Sequence, residues 1–499
     1  MLIGGLDVGT TGCKITVYDE NGTYISNSYK EYNVMRSGGE HEIDANEIFE
    51  SVCAVIKDIS KKYSLSAIGI TTFGESFAML DKNDNVLLNS MLYTDPRGDK
   101  QCKYLAEKIG EEKITDIAKV KPHSMYALPK IMWIKENKPE IYKKADKVLL
   151  MEDFIVYKLT GARQIDYSLA ARTMAFDIVK KCWSKEILDA AEIPESLMSK
   201  PVPPGTDAGD ILPEMAQKLG LSENTKIING CHDQVAAAVG SGVFLPGEAV
   251  DGTGTVECVT PVFDEIPKSK ALYDEGYCVV PYVSDNTYVC YALSFTGGAV
   301  LKWYRDNFAK YEQKICKESG ENVFKMLDGK VKDRPGDILV LPHFAGAANP
   351  YMDTGSKGAI IGLTLEHDAY DIYKALMEGV TYEIMTNIEH LKSFGIKLKT
   401  LYASGGGAAS AVWLKIKADI LNREIVPLEA KEAGACGTCM LAAVAMGIYK
   451  DLETAKKSFV RYKEKYLPDK ENAKIYEKRY EAYKDIYKSV RPIIEKNSF

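Results

Sequence analysis

Two short glycine–threonine segments in the 499-residue chain have the make-up of an anion cradle. Asp7-Val8-Gly9-Thr10-Thr11 is echoed by Asp251-Gly252-Thr253-Gly254-Thr255. Glycine lets the backbone approach a ligand closely and adopt positive φ. Successive backbone N–H groups then form a nest for anionic oxygen, and threonine hydroxyls add donors. Asp7, with no basic residue close by in sequence, has the chemistry to hold a hydrated Mg2+. One such turn alone reads as an ordinary hairpin; two echoing turns in one chain point to phosphate.

A third glycine cluster, Ser404-Gly405-Gly406-Gly407-Ala408-Ala409-Ser410, precedes the helix-like AVWLKIKADIL. A strand, glycines and a helix N-terminus together make a common nucleotide or phosphate site. The cluster is neither GxxxxGK[ST] nor GxGxxG, which argues against a Walker loop and a dinucleotide site.

Two acids stand out. Asp233, in Gly230-Cys231-His232-Asp233-Gln234, falls at the start of a small-residue helix, where the helix dipole favours a carboxylate. It reads either as an N-cap or as a general base. Its neighbour His232 lacks a second His or acid at ligand spacing, so it does not read as a metal ligand. Glu75, in Thr71-Thr72-Phe73-Gly74-Glu75, follows the apolar SAIGI and would bind substrate hydroxyls or simply be exposed. Cys436 and Cys439 form a CxxC without a second pair, and read as small buried residues of a packed helix.

Short apolar strands alternating with longer amphipathic stretches must position these residues, the pattern of an α/β protein. Leu2 to Leu6 and Lys14 to Tyr18 read as strands, and Asn21-Gly22 as a hairpin turn. Lys200 to Asp210 reads as a loop. Helices are expected over Asp371 to Ser393, Ala409 to Leu421 and Asn472 to Tyr487, the last a solvated C-terminal helix. The two glycine–threonine turns lie roughly 245 residues apart, which suggests duplicated domains, 1–245 and 246–499, with a cleft between them.

Lys plus Arg is 63 against 70 for Asp plus Glu, a balance of −7 without a basic block, so nucleic acid is not an expected partner. A hydrophobic content of 46% argues against disorder. The start of the chain reads as a first strand, not a leader, and no apolar run is long enough to span a bilayer. With an odd 11 scattered cysteines, this points to a cytoplasmic protein with free thiols and no membrane partner.

Taken in order, these segments resemble the FGGY family of carbohydrate kinases, from Gly5 to about Tyr449. GLDVGTTGCK resembles the first phosphate loop, DGTGT the second, and SGGGAASAVWLKIKADIL the adenine-side glycine loop. TTFGESFAMLD and YTDPRGD resemble the first substrate loop and the turn after it, with Tyr93 where the family usually has Trp. KLTGARQIDYSLAARTMAFDI, GCHDQVAAAVGSG, SFTGGAVLKWYRD and GAIIGLTLEHDAYDIYKALMEG complete the series.

The resemblance implies two ribonuclease-H-like (actin-like ATPase) domains, with sugar and catalytic residues in the first and ATP in the second. Asp233 would accept the proton of the attacking hydroxyl, and Asp7 with Asp233 would position Mg2+. Thr10, Thr11, Thr253, Gly254 and Thr255 would contact phosphates. Gly297, Gly298, Gly405 and Gly406 would let the nucleotide lie close to the backbone. A homodimer is expected by analogy alone.

The substrate residues implied are Gly74, Glu75, Tyr126 and Gln234. In glycerol kinases the first substrate loop reads Arg-Glu, and in xylulokinases Met-His; here it is Gly74-Glu75. Gly74 is expected to leave room for a substrate larger than glycerol, a ketopentose such as xylulose first, with glycerol or an erythritol-type polyol as alternatives. A non-catalytic sugar sensor and an ATPase switch are distant rivals, disfavoured by the intact Asp233 and the GCHDQ segment.

Overall fold

The computed structural model describes residues 1–429 and 432–497. It divides into two compact units: Met1–Phe244 with Cys278–Val289 and Glu432–Val460, and Leu245–Tyr277 with Cys290–Lys431 and Arg461–Phe499. The chain thus leaves the first unit at Leu245 and returns to it twice.

In the first unit a six-stranded sheet runs in the order β5-β6-β4-β1-β2-β3. Its strands are β1 (Leu2–Val8), β2 (Gly12–Asp19), β3 (Tyr24–Glu31), β4 (Ala67–Thr72), β5 (Asp207–Asp210) and β6 (Lys226–His232). The expected hairpin is present: β2 turns into β3 at Gly22, whose N–H donates to Asp19 O at 3.0 Å. β1, β4 and β6 are parallel, and their apolar runs are buried as central strands of a covered sheet. Helix α1 (Ala45–Ser60), capped by Asp44, packs on β2 and β3. Further helices of this unit are α2 (Ala127–Asn137), the single turn α3 (Tyr167–Ala170) and α4 (Asp233–Gly240).

The expected loop from Lys200 to Asp210 is partly strand: Lys200–Val202 pairs with Gln164–Asp166, and β5 closes the sheet edge. These backbones satisfy their hydrogen bonds by pairing despite a turn-rich composition.

In the second unit five strands run in the order β9-β8-β7-β10-β11: β7 (Glu248–Thr253), β8 (Glu257–Phe263), β9 (Ala292–Ser294), β10 (Thr400–Gly405) and β11 (Ile425–Pro427). The hairpin β7–β8 with parallel β10 repeats the hairpin β1–β2 with parallel β4. Helices of this unit include α5 (Gly298–Phe308), α6 (Ala369–Ser393) and α7 (Ala411–Leu421).

Helix α8 (Ala433–Ala445) belongs to the first unit and packs on β1, β4, β6 and α4. Its small residues have a steric reason. A methyl group on Gly240 of α4 would collide with the carbonyl oxygen of Ala433, and one on Gly437 with that of Ala236. The two helices cross backbone to backbone. Cys436 and Cys439 are buried free thiols here, and burial pushes Cys436 up to about 12, as expected of inert packing residues.

The expected C-terminal helix is two helices, α9 (Lys470–Tyr483) and α10 (Ile486–Lys496), and α9 is not solvated all round. Tyr476, Tyr480 and Tyr483 recur at helical spacing, and all three rings are buried. Their hydroxyls donate to Glu378 at 2.7 Å, Glu389 at 2.9 Å and Glu383 at 2.7 Å, all on α6. Tyrosine can bury a ring and still satisfy its hydroxyl, which is why a polar-looking helix docks. Among the described residues no helix is long and apolar enough to cross a membrane.

Candidate active site

The parallel strands β6, β4 and β1 end at the same edge. Thr72 of β4 is level with Val8 of β1 and with His232 of β6. That register brings together three segments distant in sequence: Asp7, Gly74-Glu75 and His232-Asp233. The carboxyl edge of parallel strands is where open α/β sheets bind ligands.

Asp233 is the first residue of α4, and His232 holds the N-cap position without a side-chain cap bond. The Gln234 N–H donates to Asp233 Oδ1 at 2.6 Å. Withdrawal from solvent raises the Asp233 carboxyl to about 6, opposed by that bond and by the Arg172 charge. It is therefore ionised at neutral pH yet close enough to ambient pH to take a proton. His232 Nε2 lies 3.3 Å from Asp233 Oδ1. Burial, then the Arg172 charge, lower His232 to about 3, so it is a neutral neighbour. Its backbone N–H donates to Ser168 Oγ at 2.8 Å, and Asp166 in turn caps the turn α3 that carries Ser168.

Glu75 is buried, not exposed, and its backbone has φ 66°. A non-glycine residue in the left-handed region is strained, and such strain concentrates at functional sites. Arg172 Nε donates to Glu75 Oε1 at 2.6 Å. The same guanidinium donates to Cys278 Sγ at 3.4 Å and lies 5.1 Å from the Tyr126 ring. Tyr126 precedes α2; Lys130 of that helix donates to the carbonyls of Ser124 and Asp95, fixing the approach. Glu75 and Tyr126 thus join one buried cluster, with Gln234 half-buried beside Asp233.

The space at Gly74 is not open. A Cβ there would stand 3.0 Å from Arg172 Cγ and 3.1 Å from the His232 ring. The expected room for a larger substrate is filled on that side by Arg172, which sequence reasoning missed. The signal was present: an acid held inside a protein needs a counter-charge, and the dipeptide Gly74-Glu75 carries none.

Asp7 also departs from expectation. It is directly across the ladder from Lys14, whose Nζ donates to Glu432 Oε1 at 2.8 Å, so a basic residue is close. Burial, then the charges of Asp233 and Glu432, raise the Asp7 carboxyl to about 7, against the pull of Lys14. A divalent cation would relieve that crowding of acids. Among the described residues no group of three His, Cys, Asp or Glu side chains is arranged to ligate a metal directly. The first turn is closed by Gly9 N–H donating to Gly12 O at 2.9 Å, with Thr10 half-buried and Thr11 exposed at its tip.

The second unit has a cavity of about 690 Å³ bordered by Gly254, Gly298, Gly406, Gly407, Ser410 and Trp413. Gly254 and Thr255 are exposed at the tip of the β7–β8 turn. Thr253 is not: it is buried, and its Oγ1 accepts from Lys417 Nζ at 2.7 Å. Its hydroxyl is committed inward and does not present itself to phosphate. Gly297 and Gly298 brace this turn, and Gly298 also borders the cavity. Their N–H groups donate to Thr255 O at 2.9 Å and Gly254 O at 2.8 Å, holding the turn against the start of α5. Gly405, at φ 81°, packs on the Thr253 carbonyl, while Gly406 borders the cavity.

Residues 2–240 match the N-terminal domain of the FGGY family of carbohydrate kinases, and residues 261–446 match that family's C-terminal domain. The chain is 28% identical over 489 residues to the xylulose kinase of Bacillus subtilis (strain 168), covering 97% of this chain and 96% of that protein. It is 28% identical over 485 residues to the gluconokinase of Bacillus licheniformis, covering 95% and 93%. Among solved structures, a ligand-bound xylulose kinase from Lactobacillus acidophilus superposes with a TM-score of 0.88 at 25% identity, covering 100% of both chains. The architecture is the mixed α/β, two-domain fold of the actin-like ATPase type.

Proposed function

Because the chain belongs to the FGGY family of carbohydrate kinases, and is a sugar kinase, we propose that it transfers the γ-phosphate of ATP to a hydroxyl of a ketopentose such as xylulose. The observation that carries the chemistry is Asp233, a half-buried carboxylate at the head of α4 that titrates at about 6. In this reading it accepts the proton of the attacking hydroxyl. Glu75, held by Arg172, and Gln234 are hydrogen-bonding partners for the remaining hydroxyls. The Tyr126 ring lies against the Arg172 guanidinium in the same cluster.

Thr10, Thr11, Gly254 and Thr255, at the tips of the two turns, contact the phosphates. Gly406 and Ser410 border the nucleotide cavity. Asp7 and Asp233 would hold a hydrated Mg2+, which would supply charge neutralisation at the phosphates. The transition state of phosphoryl transfer is loose, so positioning and charge stabilisation dominate over covalent assistance.

Support for a ketopentose comes from the near full-length similarity to xylulose kinases, not from space at Gly74. Gluconokinases of comparable similarity make a sugar acid the second reading. Arg172 weighs against it, because its charge is already matched by Glu75. The test is ADP release by purified protein with ATP and Mg2+ over D-xylulose, other ketopentoses, erythritol, glycerol and gluconate. Highest kcat/KM on a ketopentose is expected. Highest kcat/KM on gluconate or glycerol would overturn the assignment, and sugar-independent turnover would favour an ATPase switch.

A further inference from the structure

We propose that Lys417 is a positioning residue for nucleotide binding, tying the second glycine–threonine turn to the helix that begins at the nucleotide cavity. The inference rests on the reading that this cavity holds the nucleotide. Lys417 is 2% exposed, and Asp251 and Glu257 are fully buried. Its Nζ lies 2.5 Å from Asp251 Oδ2, 2.9 Å from Glu257 Oε1 and 2.7 Å from Thr253 Oγ1. Asp251 and Thr253 are in the last turn-proximal stretch of β7, and Glu257 opens β8. One ammonium therefore grips both legs of the hairpin whose tip is Gly254 to Val256.

Lys417 also lies one helical turn after Trp413 on α7, 5.1 Å from its ring, and Trp413 borders the cavity. The grip thus joins the exposed tip to the cavity wall. From the other side the tip is held by the N–H groups of Gly297 and Gly298. A buried ion cluster is a poor way to gain stability, since apolar residues of similar volume commonly serve as well. What it supplies is a fixed geometry for the loop above it.

The charges have a consequence for binding. One ammonium faces two carboxyls. Glu257 meets Lys417 from α7 and Asp251 from β7, and its partner across the ladder on β9, Ser294, is uncharged. Burial, opposed by Lys417 and reinforced by the Asp251 charge, raises Glu257 to about 8. Its proton is therefore held more tightly than that of an ordinary carboxyl. Above about 8 the cluster gains a negative charge beneath the turn, which disfavours phosphate.

The test is the dissociation constant of MgADP, measured by calorimetry on the full chain between about pH 6.5 and 9, alongside thermal unfolding. Lys417→Met is expected to weaken MgADP by about tenfold or more, and Lys417→Arg to recover part of it. In the parent protein affinity is expected to fall above about pH 8, and in Glu257→Gln that fall is expected to vanish. A folded Lys417→Met that binds within about twofold of the parent overturns the proposal, as does an unchanged alkaline fall in Glu257→Gln. If Lys417→Met does not fold, Thr253→Val, which removes one of the three contacts of the ammonium, decides instead: weakened MgADP binding is expected, and binding equal to the parent's overturns the proposal. A parent protein that shows no saturable MgADP binding sinks the nucleotide reading itself, and the proposal with it.

Discussion

Arg172 Nε stands 2.6 Å from Glu75 Oε1, and the two side chains share one buried environment beside Tyr126. The pair joins a loop after β4 to the turn that follows α3, segments 97 residues apart in sequence. It fixes which way the Glu75 carboxylate faces, and its strained backbone shows that the position is held against a local cost.

Arg172→Met is therefore expected to raise KM for sugar by about tenfold or more, with KM for ATP changed by no more than about twofold. Arg172→Lys should recover only part, because an ammonium does not reproduce the guanidinium fork. Glu75→Ala should likewise raise KM for sugar far more than for ATP. Steady-state kinetics with each substrate varied in turn checks all three; equal shifts in both KM values would remove Glu75 and Arg172 from the sugar site.

Gly74→Arg should not create a glycerol kinase. The added side chain would start against Arg172 and His232, at 3.0 and 3.1 Å from its Cβ. A loss of about 1–3 kcal/mol in stability is expected, as for other overpacked sites, with no gain in glycerol turnover. Thermal unfolding and a glycerol assay check this, and a stable variant with raised glycerol activity would show that the space is open after all.

Gly437→Ala tests the helix crossing beneath Asp233. The new methyl would press on the carbonyl of Ala236 in α4, so stability should fall by about 1–3 kcal/mol or more. A displaced α4 also moves Asp233, so kcat should fall. Preserved stability and kcat would mean that the crossing has slack.

Much of this arrangement was legible in the chain. The Gly/Thr echo marked two hairpins that do share their topology, and the small-residue run of α8 read correctly as packing. What stayed hidden depends on which way side chains face across long separations. Thr253 looks like Thr255 in sequence, but Thr253 ends β7 on the same face as Asp251, with its hydroxyl turned to Lys417, whereas Thr255 lies beyond the strand in the exposed turn. Lys417 itself could have been found, because it follows Trp413 at helical spacing on an otherwise apolar face. Arg172 could be inferred only as a need for counter-charge, not as a position. The tyrosines of α9 looked solvated because tyrosine is polar at one end only, and their glutamate partners are about 90 to 100 residues away.

Buried carboxyls should make the protein less stable toward alkaline pH. Burial raises Asp153 to about 8 and Asp166 to about 7, and Glu152 well above its usual range. Each holds its proton more tightly when folded, so the stability present below about pH 4 is lost as pH rises through these values. The unfolding midpoint should fall between about pH 5 and 8, and Asp153→Asn should flatten the fall while keeping an acceptor for Ser199. A midpoint that rises over this range in the parent protein would contradict the assignment.

The central claim is that Asp233 is the base, and Asp233→Asn tests it most directly. The amide keeps the size of the side chain and removes the basic oxygen. With sugar and MgATP saturating, kcat is expected to fall by about 10²- to 10⁴-fold, while the unfolding midpoint does not drop. A folded Asp233→Asn enzyme with kcat within about tenfold of the parent would contradict the account.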